Sequence, residues 1–531
     1  MNPVSLNKKL LHIIQQFLAL VILSSLIFPS FAYCQAQSDS LQTAPTNKPN
    51  PFRPQFHFTP AKNWTNDPNG LVYFDGEYHL FFQYNPFGNK WGHMSWGHAV
   101  SSDMIHWKQL PVAIPEANNE MIFSGSAVVD SNNTSGFGKN GKIPMVAIYA
   151  GYNTKTHIQD QRLAYSLDHG HTWTKFKGNP VITLHSKNFR DPKVFWYAPD
   201  KEWIMVVALS AQQKVRFYRS PDLIHWKKLS DFGPQGATEG NWECPILSKV
   251  HVKNEPSQKK WVLEISGKID SVQNGLYFVG NFNGKTFIPD PAFKDNPHRV
   301  DYGMDFYAAT SWANIPASDG RTLWLAWMDN WQYAQQAPTH PFRGMMTVPR
   351  SITLQKGDDS YYLLQNPVKE LHSLRGQHFH FSNLAIHSGK LSLSKKGITG
   401  TSVEIQATLK PSTAKKIGFI VRKGKNQQTV IGYKPNQNEL YVNRTHSGRD
   451  QFSKAFPGGI QSAPLRLENG LIHLHILVDR SSVEVFANEG KRVITDDIYP
   501  RLSSDGLQLF ARGGTLKISS LDIWKLHSYR K

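Results

Sequence analysis

Cysteine is almost missing from this chain: there are two in 531 residues, Cys34 and Cys244. That excludes a disulfide-stapled scaffold and any multi-cysteine metal framework. No internal stretch reaches the ~18 apolar residues that a membrane-crossing helix needs. Helical periodicity is missing as well, since nothing long between Phe56 and Arg350 repeats at a helical spacing. Acids are scarce relative to bases, 40 Asp and Glu against 59 Lys and Arg, which leaves a net charge of +19. The bases are scattered, however, and their densest clusters are pairs such as Lys259-Lys260 and Lys415-Lys416. A nucleic-acid surface normally shows a run or a stripe, so nucleic acid is not expected as a partner.

What the chain does hold is apolar and aromatic. Hydrophobic residues make up 40% and aromatics 12%, with 15 Trp, 19 Tyr and 30 Phe. This is enough to build a sizeable core and excludes wholesale disorder. At roughly 150 residues per domain the length corresponds to three or four domains. Flat rings stack on sugars as readily as on bases, which is the first functional hint.

The N-terminus reads as an export signal over residues 1–36. Lys8 and Lys9 precede an apolar run from Phe17 to Phe28, and small residues at Ser30, Ala32 and Ala36 offer cleavage positions. The run is interrupted by Ser24 and Ser25 and closed by Pro29, which argues against a retained anchor. The expected location is therefore secreted or periplasmic, free of the membrane once the signal is cleaved. Residues 37–55 are polar and Pro-rich and read as a flexible leader.

From residue 56 to 355 short apolar runs alternate with turn pairs. Asp75-Gly76, Pro199-Asp200, Asn283-Gly284 and Asp319-Gly320 all fall between strand-like segments. A repeat is also visible. Ser102-Asp103 leads to Trp107, Ser166 and Asp168 lead to Trp173, and Ser220 and Asp222 lead to Trp226. Units of about 60 residues with about four strands each match propeller blades, so this stretch predicts about five of them. The repeated tryptophans are expected to pack between strands. Residues 356–380 read as a connector. Residues 381–531, with VEIQATL, IGFIVR, LIHLHILVD and SVEVFAN, predict a β-sandwich. The fold class is thus all-β, a five-bladed β-propeller followed by a C-terminal β-sandwich. His473 and His475 share one strand face but no third ligand accompanies them, so no metal site is expected.

Three segments set a carboxylate among turn-forming and aromatic neighbours: NWTNDPNG at 63–70, NFRDPK at 188–193 and NWECP at 241–245. Proline restricts the residue before it and stiffens the local backbone, which is one way to aim a short acid. In an exported, aromatic-rich β protein, paired carboxylates point to glycoside hydrolysis, where one acts on the sugar and one on the leaving oxygen.

In that order NDPNG, FRDP and WECP resemble glycoside hydrolase family 32, the β-fructofuranosidases that include invertases, inulinases and levanases. The likeness continues through FFQYNP (81–86), WGHMSWGHAVS (91–101), IFSGSAVVD (122–130), DYGMDFYAA (301–309), WMDNWQYA (327–334) and VDRSSVEVFAN (478–488). It is similar in particular to bacterial levanases and exo-inulinases. The resemblance implies a five-bladed propeller with a C-terminal sandwich, and a fructan or sucrose substrate. It implies Asp67 as nucleophile, Glu243 as acid/base and Asp191 as the third carboxylate. It also implies substrate contacts from Trp64, Asn66, Gln83, Trp91, Phe123, Ser124, Arg190, Asp301 and Trp331. Cys244 adjoins the proposed acid. No cofactor is called for. Retention of configuration is expected, with the two main carboxyls about 5–5.5 Å apart. Thr65 stands where the family most often has Met, which alters the pocket rim and removes no catalytic group. A fructosyltransferase and a non-catalytic fructan-binding protein are the competing readings. The second domain is a candidate for polymer binding, propeller stabilisation or homodimer formation.

Overall fold

The computed structural model describes residues 50–294, 298–456 and 459–530. The expected signal peptide, and the leader as far as residue 49, lie outside the described residues. The end of that leader is docked on the folded domain. Phe52 is buried against Tyr333, Phe456 and Tyr499. Arg53 donates to Thr59 Oγ1 and the Pro60 carbonyl, both at 2.8 Å, and its guanidinium lies 4.0 Å over the Phe342 ring. The polar, Pro-rich composition of the segment concealed these two anchors.

Among the described residues the regular structure is strand, with a few short 3-10 segments. Five antiparallel blades come first. Blade I holds Asn63–Phe74, Glu77–Tyr84, Ser95–Ser101 and Lys108–Ile114. Blade II holds Glu120–Val129, Met145–Asn153, Gln159–Ser166 and Thr174–Lys175. Blade III holds Phe189–Tyr197, Glu202–Leu209, Lys214–Ser220 and Lys227–Phe232. Blade IV holds Glu239–Val252, Glu255–Ile269, Val272–Phe282 and Phe287–Pro289. Blade V holds Tyr307–Ser311, Thr322–Met328, Arg350–Lys356 and Tyr361–Pro367. The first strand of each blade packs against the first strands on either side, so the five close into a ring. Parallel contacts join the ends: Val72 bridges to Ala313, and Asn63 pairs with Phe342.

The repeated serine, aspartate and tryptophan build the outer turns of the first three blades. Ser166 Oγ donates to Asp168 at 2.7 Å and Ser220 Oγ donates to Asp222 at 3.0 Å. In blade I the equivalent serine is Ser101, at 2.9 Å from Asp103, and not Ser102; the spacing in the other two copies is serine, one residue, aspartate. Each aspartate then accepts from backbone N–H groups of the turn. Trp107, Trp173 and Trp226 pack on three different blade cores, as expected of them.

The connector is shorter than the expected 356–380. Tyr361–Pro367 pairs along its whole length with Arg350–Lys356 as the last strand of blade V. The sandwich begins at Arg375, after a six-residue 3-10 segment at Lys369–Leu374. The Asn-Pro pair at 366–367 gave the appearance of a break, but it lies at the end of an edge strand, where proline costs no ladder hydrogen bond. The sandwich is built on two long strands, Arg375–Ser392 and Gly506–Leu526, paired to each other. One end of Gly506–Leu526 pairs with Lys416–Lys423 and the other with Val403–Lys410. These lead into separate layers that enclose a core of Ile, Val and Leu side chains.

A buried polar seam joins propeller to sandwich. His57 lies between Asp479 (2.9 Å) and Glu484 (3.0 Å), and Arg350 spans Glu484 (2.6 Å) and Asp301 (3.0 Å). Asp301, expected to touch the sugar, belongs to this seam. It also accepts from Thr495 Oγ1 at 2.6 Å and from the backbone N–H groups of Thr495 and Gly303 at 2.9 Å, and it is fully buried. Its acceptor capacity is used up six residues before blade V begins.

Candidate active site

Each first strand is irregular at the same depth in the ring, where its pairing slips: between Thr65 and Pro68, Ile122 and Gly125, Arg190 and Lys193, Glu243 and Ile246, and Tyr307 and Thr310. Bulges of this kind re-aim side chains, and here they turn polar groups toward the ring axis. Three of them contain a non-glycine residue with left-handed backbone: Asp191 (φ 63°), Cys244 (φ 49°) and Ala308 (φ 53°). Asp191 and Cys244 each precede a proline, which stiffens the bulge. Left-handed conformations at such residues store strain and concentrate at functional sites. Gly70 shows the same crowding in blade I: at φ 53° an added Cβ would come within 2.6 Å of the Phe81 ring.

The residues just before those left-handed positions are Arg190, Glu243 and Tyr307, and they meet. Arg190 donates from Nη2 and Nε to Glu243 Oε1 at 2.8 and 3.1 Å. Tyr307 O–H donates to Glu243 Oε2 at 2.6 Å. Arg190 is itself steadied by Gln159 and Asn188. One position further along, the Cys244 N–H donates to Asp191 Oδ2 at 3.0 Å. Asp67 receives Ser124 Oγ at 2.6 Å and the Cys244 thiol at 3.6 Å on Oδ2, and Asn66 Nδ2 at 3.0 Å on Oδ1.

These groups line a pocket of 430 Å³ with Gln83, Trp91, Phe123, Tyr152, Gln159, Asn188 and Trp331. Phe123 stacks on Tyr152 at 4.7 Å, while Trp91 stands at the rim, 39% exposed. Beneath the floor only a 20 Å³ void separates Asp191 and Cys244 from Lys193. The pocket is thus blind, and its volume suits a monosaccharide unit with part of its neighbour.

Electrostatics in the pocket is a contest between burial and donors. Burial is the largest influence on Asp67 and raises it; Ser124 and Asn66 oppose this, and the Glu243 charge adds to the rise. Asp191 is pushed up to about 7 by burial, against the pull of Arg190 and with the repulsion of Glu243 and Asp67. Burial also pushes the Cys244 thiol well up, so it acts as a neutral donor rather than a thiolate.

Of the residues expected at the site, Asp67, Asp191, Glu243, Asn66, Gln83, Trp91, Phe123, Ser124, Arg190 and Trp331 line this pocket, and two do not. Asp301 lies in the interdomain seam. Trp64 is fully buried behind Asn66, its indole N–H donating to Asn66 Oδ1 at 2.7 Å. It orients the amide next to Asp67 and offers no face to a ligand. Sequence reasoning missed Tyr307, Tyr152, Gln159 and Asn188. Tyr307 and Asn188 stand inside segments already singled out, and an alignment of the five first strands would have found Tyr307 opposite Glu243.

A five-bladed propeller whose inner strands converge three carboxylates on a blind, aromatic-rimmed pocket is the architecture of a glycosidase. The match to known proteins makes the class specific. Residues 57–367 match the glycosyl hydrolases family 32 N-terminal domain, and residues 370–525 match the C-terminal domain of the same family. A levanase of Bacillus subtilis (strain 168) is 48% identical over 485 residues, covering 90% of this chain and 70% of its own. An extracellular exo-inulinase of Aspergillus awamori is 39% identical over 525 residues, covering 91% and 96%. A crystal structure of exo-inulinase from Aspergillus awamori superposes with a TM-score of 0.84 at 37% identity, covering 91% of this chain and 99% of that one. The chain belongs to glycosyl hydrolase family 32.

Proposed function

We propose that this chain is an exported, exo-acting hydrolase that removes terminal β-D-fructofuranosyl units from levan, inulin and sucrose with retention of configuration. One observation carries the reading: Asp67 and Glu243 reach the same blind pocket from different blades, each already held by dedicated donors. Asp67 attacks C2 of the fructosyl unit as the bond from C2 to the leaving oxygen breaks, and Glu243 gives that oxygen its proton. A fructosyl ester on Asp67 results. Glu243 then takes a proton from water, whose oxygen bonds C2 and frees Asp67. Tyr307 donates to Glu243 when it is ionised and can accept from it when it is protonated. Arg190 fixes the carboxyl for both duties. Asp191 faces the sugar hydroxyls and the positive charge that develops at C2.

The closed floor supports exo action, because a polymer can enter only by its end. The relatives named as levanase and exo-inulinase support fructans as substrates. Export rests on the N-terminal signal pattern and on the extracellular relative; no helix among the described residues is long and apolar enough to cross a membrane. The test is incubation with levan, inulin, sucrose and raffinose, with products resolved by chain length. Fructose alone from the polymers is expected; a ladder of oligosaccharides from levan would overturn exo action. New oligosaccharides at high sucrose would favour transfer over hydrolysis. If Asp67→Asn released fructose at the wild-type rate, the nucleophile assignment would fall.

A further inference from the structure

The positive charge of this chain is concentrated in its second domain. Residues 375–531 hold 24 Lys and Arg against 11 Asp and Glu, which is 13 of the chain's surplus of 19. Five of those acids, Glu404, Asp479, Glu484, Asp496 and Asp497, are buried, so the surface of the sandwich is more basic still. Fructans are neutral, so the proposed substrate does not account for this charge.

The fold gathers bases that the sequence scatters. The turn between Val403–Lys410 and Lys416–Lys423 packs against residues 512–515 of the long strand Gly506–Leu526. The Lys415 N–H donates to the Arg512 carbonyl at 2.9 Å, and the Ala414 N–H donates to the Thr515 carbonyl at 3.3 Å. The Thr515 N–H returns a bond to Thr413 Oγ1 at 2.9 Å. The stem of Lys415 lies over Gly513, 3.1 Å from where a Cβ would stand. Across the ladder Lys410 lies opposite Lys517, and Lys416 lies opposite Arg512. Lys390, on the neighbouring strand Arg375–Ser392, lies opposite Phe510, two residues from Arg512.

Two features separate this corner from an ordinary solvated surface. First, its charge is uncompensated. Lys390, Lys410, Lys415, Lys416, Arg512 and Lys517 are all exposed, and none forms an ion pair among the described residues. The stretches 385–403, 405–438 and 506–521, which build the corner, contain no Asp or Glu. Second, like charges directly opposite one another destabilise a sheet, and two such pairs stand side by side here. A partner that neutralises the patch would offset that cost.

The chemistry of the patch selects the partner. Five of the six bases are lysines, point charges on flexible stems that follow a row of anions without demanding one geometry. Adjacent strands lie ~4.8 Å apart, so the opposed pairs form a close-set row that a chain with one charge per sugar can track. No large hydrophobic side chain is exposed in the three stretches, so nothing there would insert among lipids or stack on bases.

We propose that this corner of the sandwich docks an acidic polysaccharide, a linear chain of sugars carrying carboxylates, and so holds the enzyme on an anionic matrix. Its role outside the cell rests on the proposed export. The binding does not, and none of the six bases lines the sugar pocket.

The test measures binding of the full chain to polygalacturonate, with dextran as the neutral control. Binding to polygalacturonate and not to dextran is expected. Affinity should fall at least ~tenfold as salt rises from ~50 to ~200 mM, since each contact releases counterions. A variant with Lys410→Gln, Lys416→Gln, Arg512→Gln and Lys517→Gln should bind at least ~tenfold more weakly, with Tm unchanged or higher and fructose release unchanged. A second variant removes as much charge from exposed, unpaired lysines of the propeller: Lys108→Gln, Lys139→Gln, Lys142→Gln and Lys285→Gln. It should bind within ~twofold of wild type, because screening confines the effect to nearby charges. Equal losses in the two variants would overturn the patch and leave only net charge. No binding to polygalacturonate would overturn the proposal. Tighter binding to polyphosphate or to phosphatidylglycerol vesicles would overturn the assignment of the partner. Binding is read without turnover, so failure here leaves the proposed hydrolysis standing.

Discussion

Replacing Asp191 by Asn should abolish turnover and yet stabilise the fold. Asp191 is buried, and its carboxyl is raised from an ordinary 3.8 to about 7 by burial and by the charges of Glu243 and Asp67, against the pull of Arg190. The sign follows from linkage. A group whose folded pKa lies above its unfolded value costs stability when ionised; the cost is complete above pH 7 and gone below pH 4. At about 1.4 kcal/mol per pH unit the ceiling is about 4 kcal/mol, part of it shared with the neighbouring carboxylates. Asn keeps the rest of the local structure. It tolerates the left-handed backbone at φ 63°, and its carbonyl oxygen can still accept the Cys244 N–H. For a folded unit of Asn50–Lys531, an unfolding entropy of ~2.1 cal/mol/K per residue converts each kcal/mol into about 1 °C. Differential scanning calorimetry of both proteins from pH 4 to pH 8 should therefore show the variant gaining about 1–4 °C at pH 8 and nothing at pH 4. A variant less stable than wild type at pH 8, or a gain independent of pH, would refute the electrostatic reasoning.

Three further outcomes follow from the geometry. Ser124→Ala removes the 2.6 Å donor that lowers Asp67, so the acid limb of kcat/KM should move to higher pH by up to about one unit, measured on sucrose. Glu243→Gln should slow fructan hydrolysis by about 10²–10⁴, and much less for a fructoside whose leaving group needs no proton. At the seam, burial works to strip His57 of its proton, but Asp479 and Glu484 on either side raise it to about 9. Its contribution is complete below pH 6.5 and lost as pH rises through 9, so Tm should fall over that window, and His57→Gln should flatten the fall.

The sequence made the repeating units legible because blades are local: a turn with serine, aspartate and tryptophan is written within a few residues of itself. The three carboxylates were legible because proline and aromatic neighbours mark them. What escaped depends on contacts across the ring. Tyr307 stands in a segment already singled out, yet its partner becomes visible only when the first strands are set side by side, where its hydroxyl meets Glu243. Asp301 stands in a segment that leads into the pocket, yet its side chain turns to the sandwich, a partner nearly two hundred residues away. Trp64 stands three residues before Asp67 in sequence and is hidden behind Asn66 in space. The end of the leader looked loose because its composition is polar, while two residues, Phe52 and Arg53, anchor it.

The central claim is that Asp67 forms a covalent bond to the fructosyl unit. It is tested most directly by rapid acid quench of the Glu243→Gln variant during turnover of a fructoside with a good leaving group, followed by peptide mass spectrometry. The account predicts that the peptide containing Asp67 gains the mass of one fructosyl unit, bound as an ester that hydroxylamine releases. An unmodified Asp67 peptide while leaving group is released in a burst, or the same mass on a different carboxylate, would contradict it.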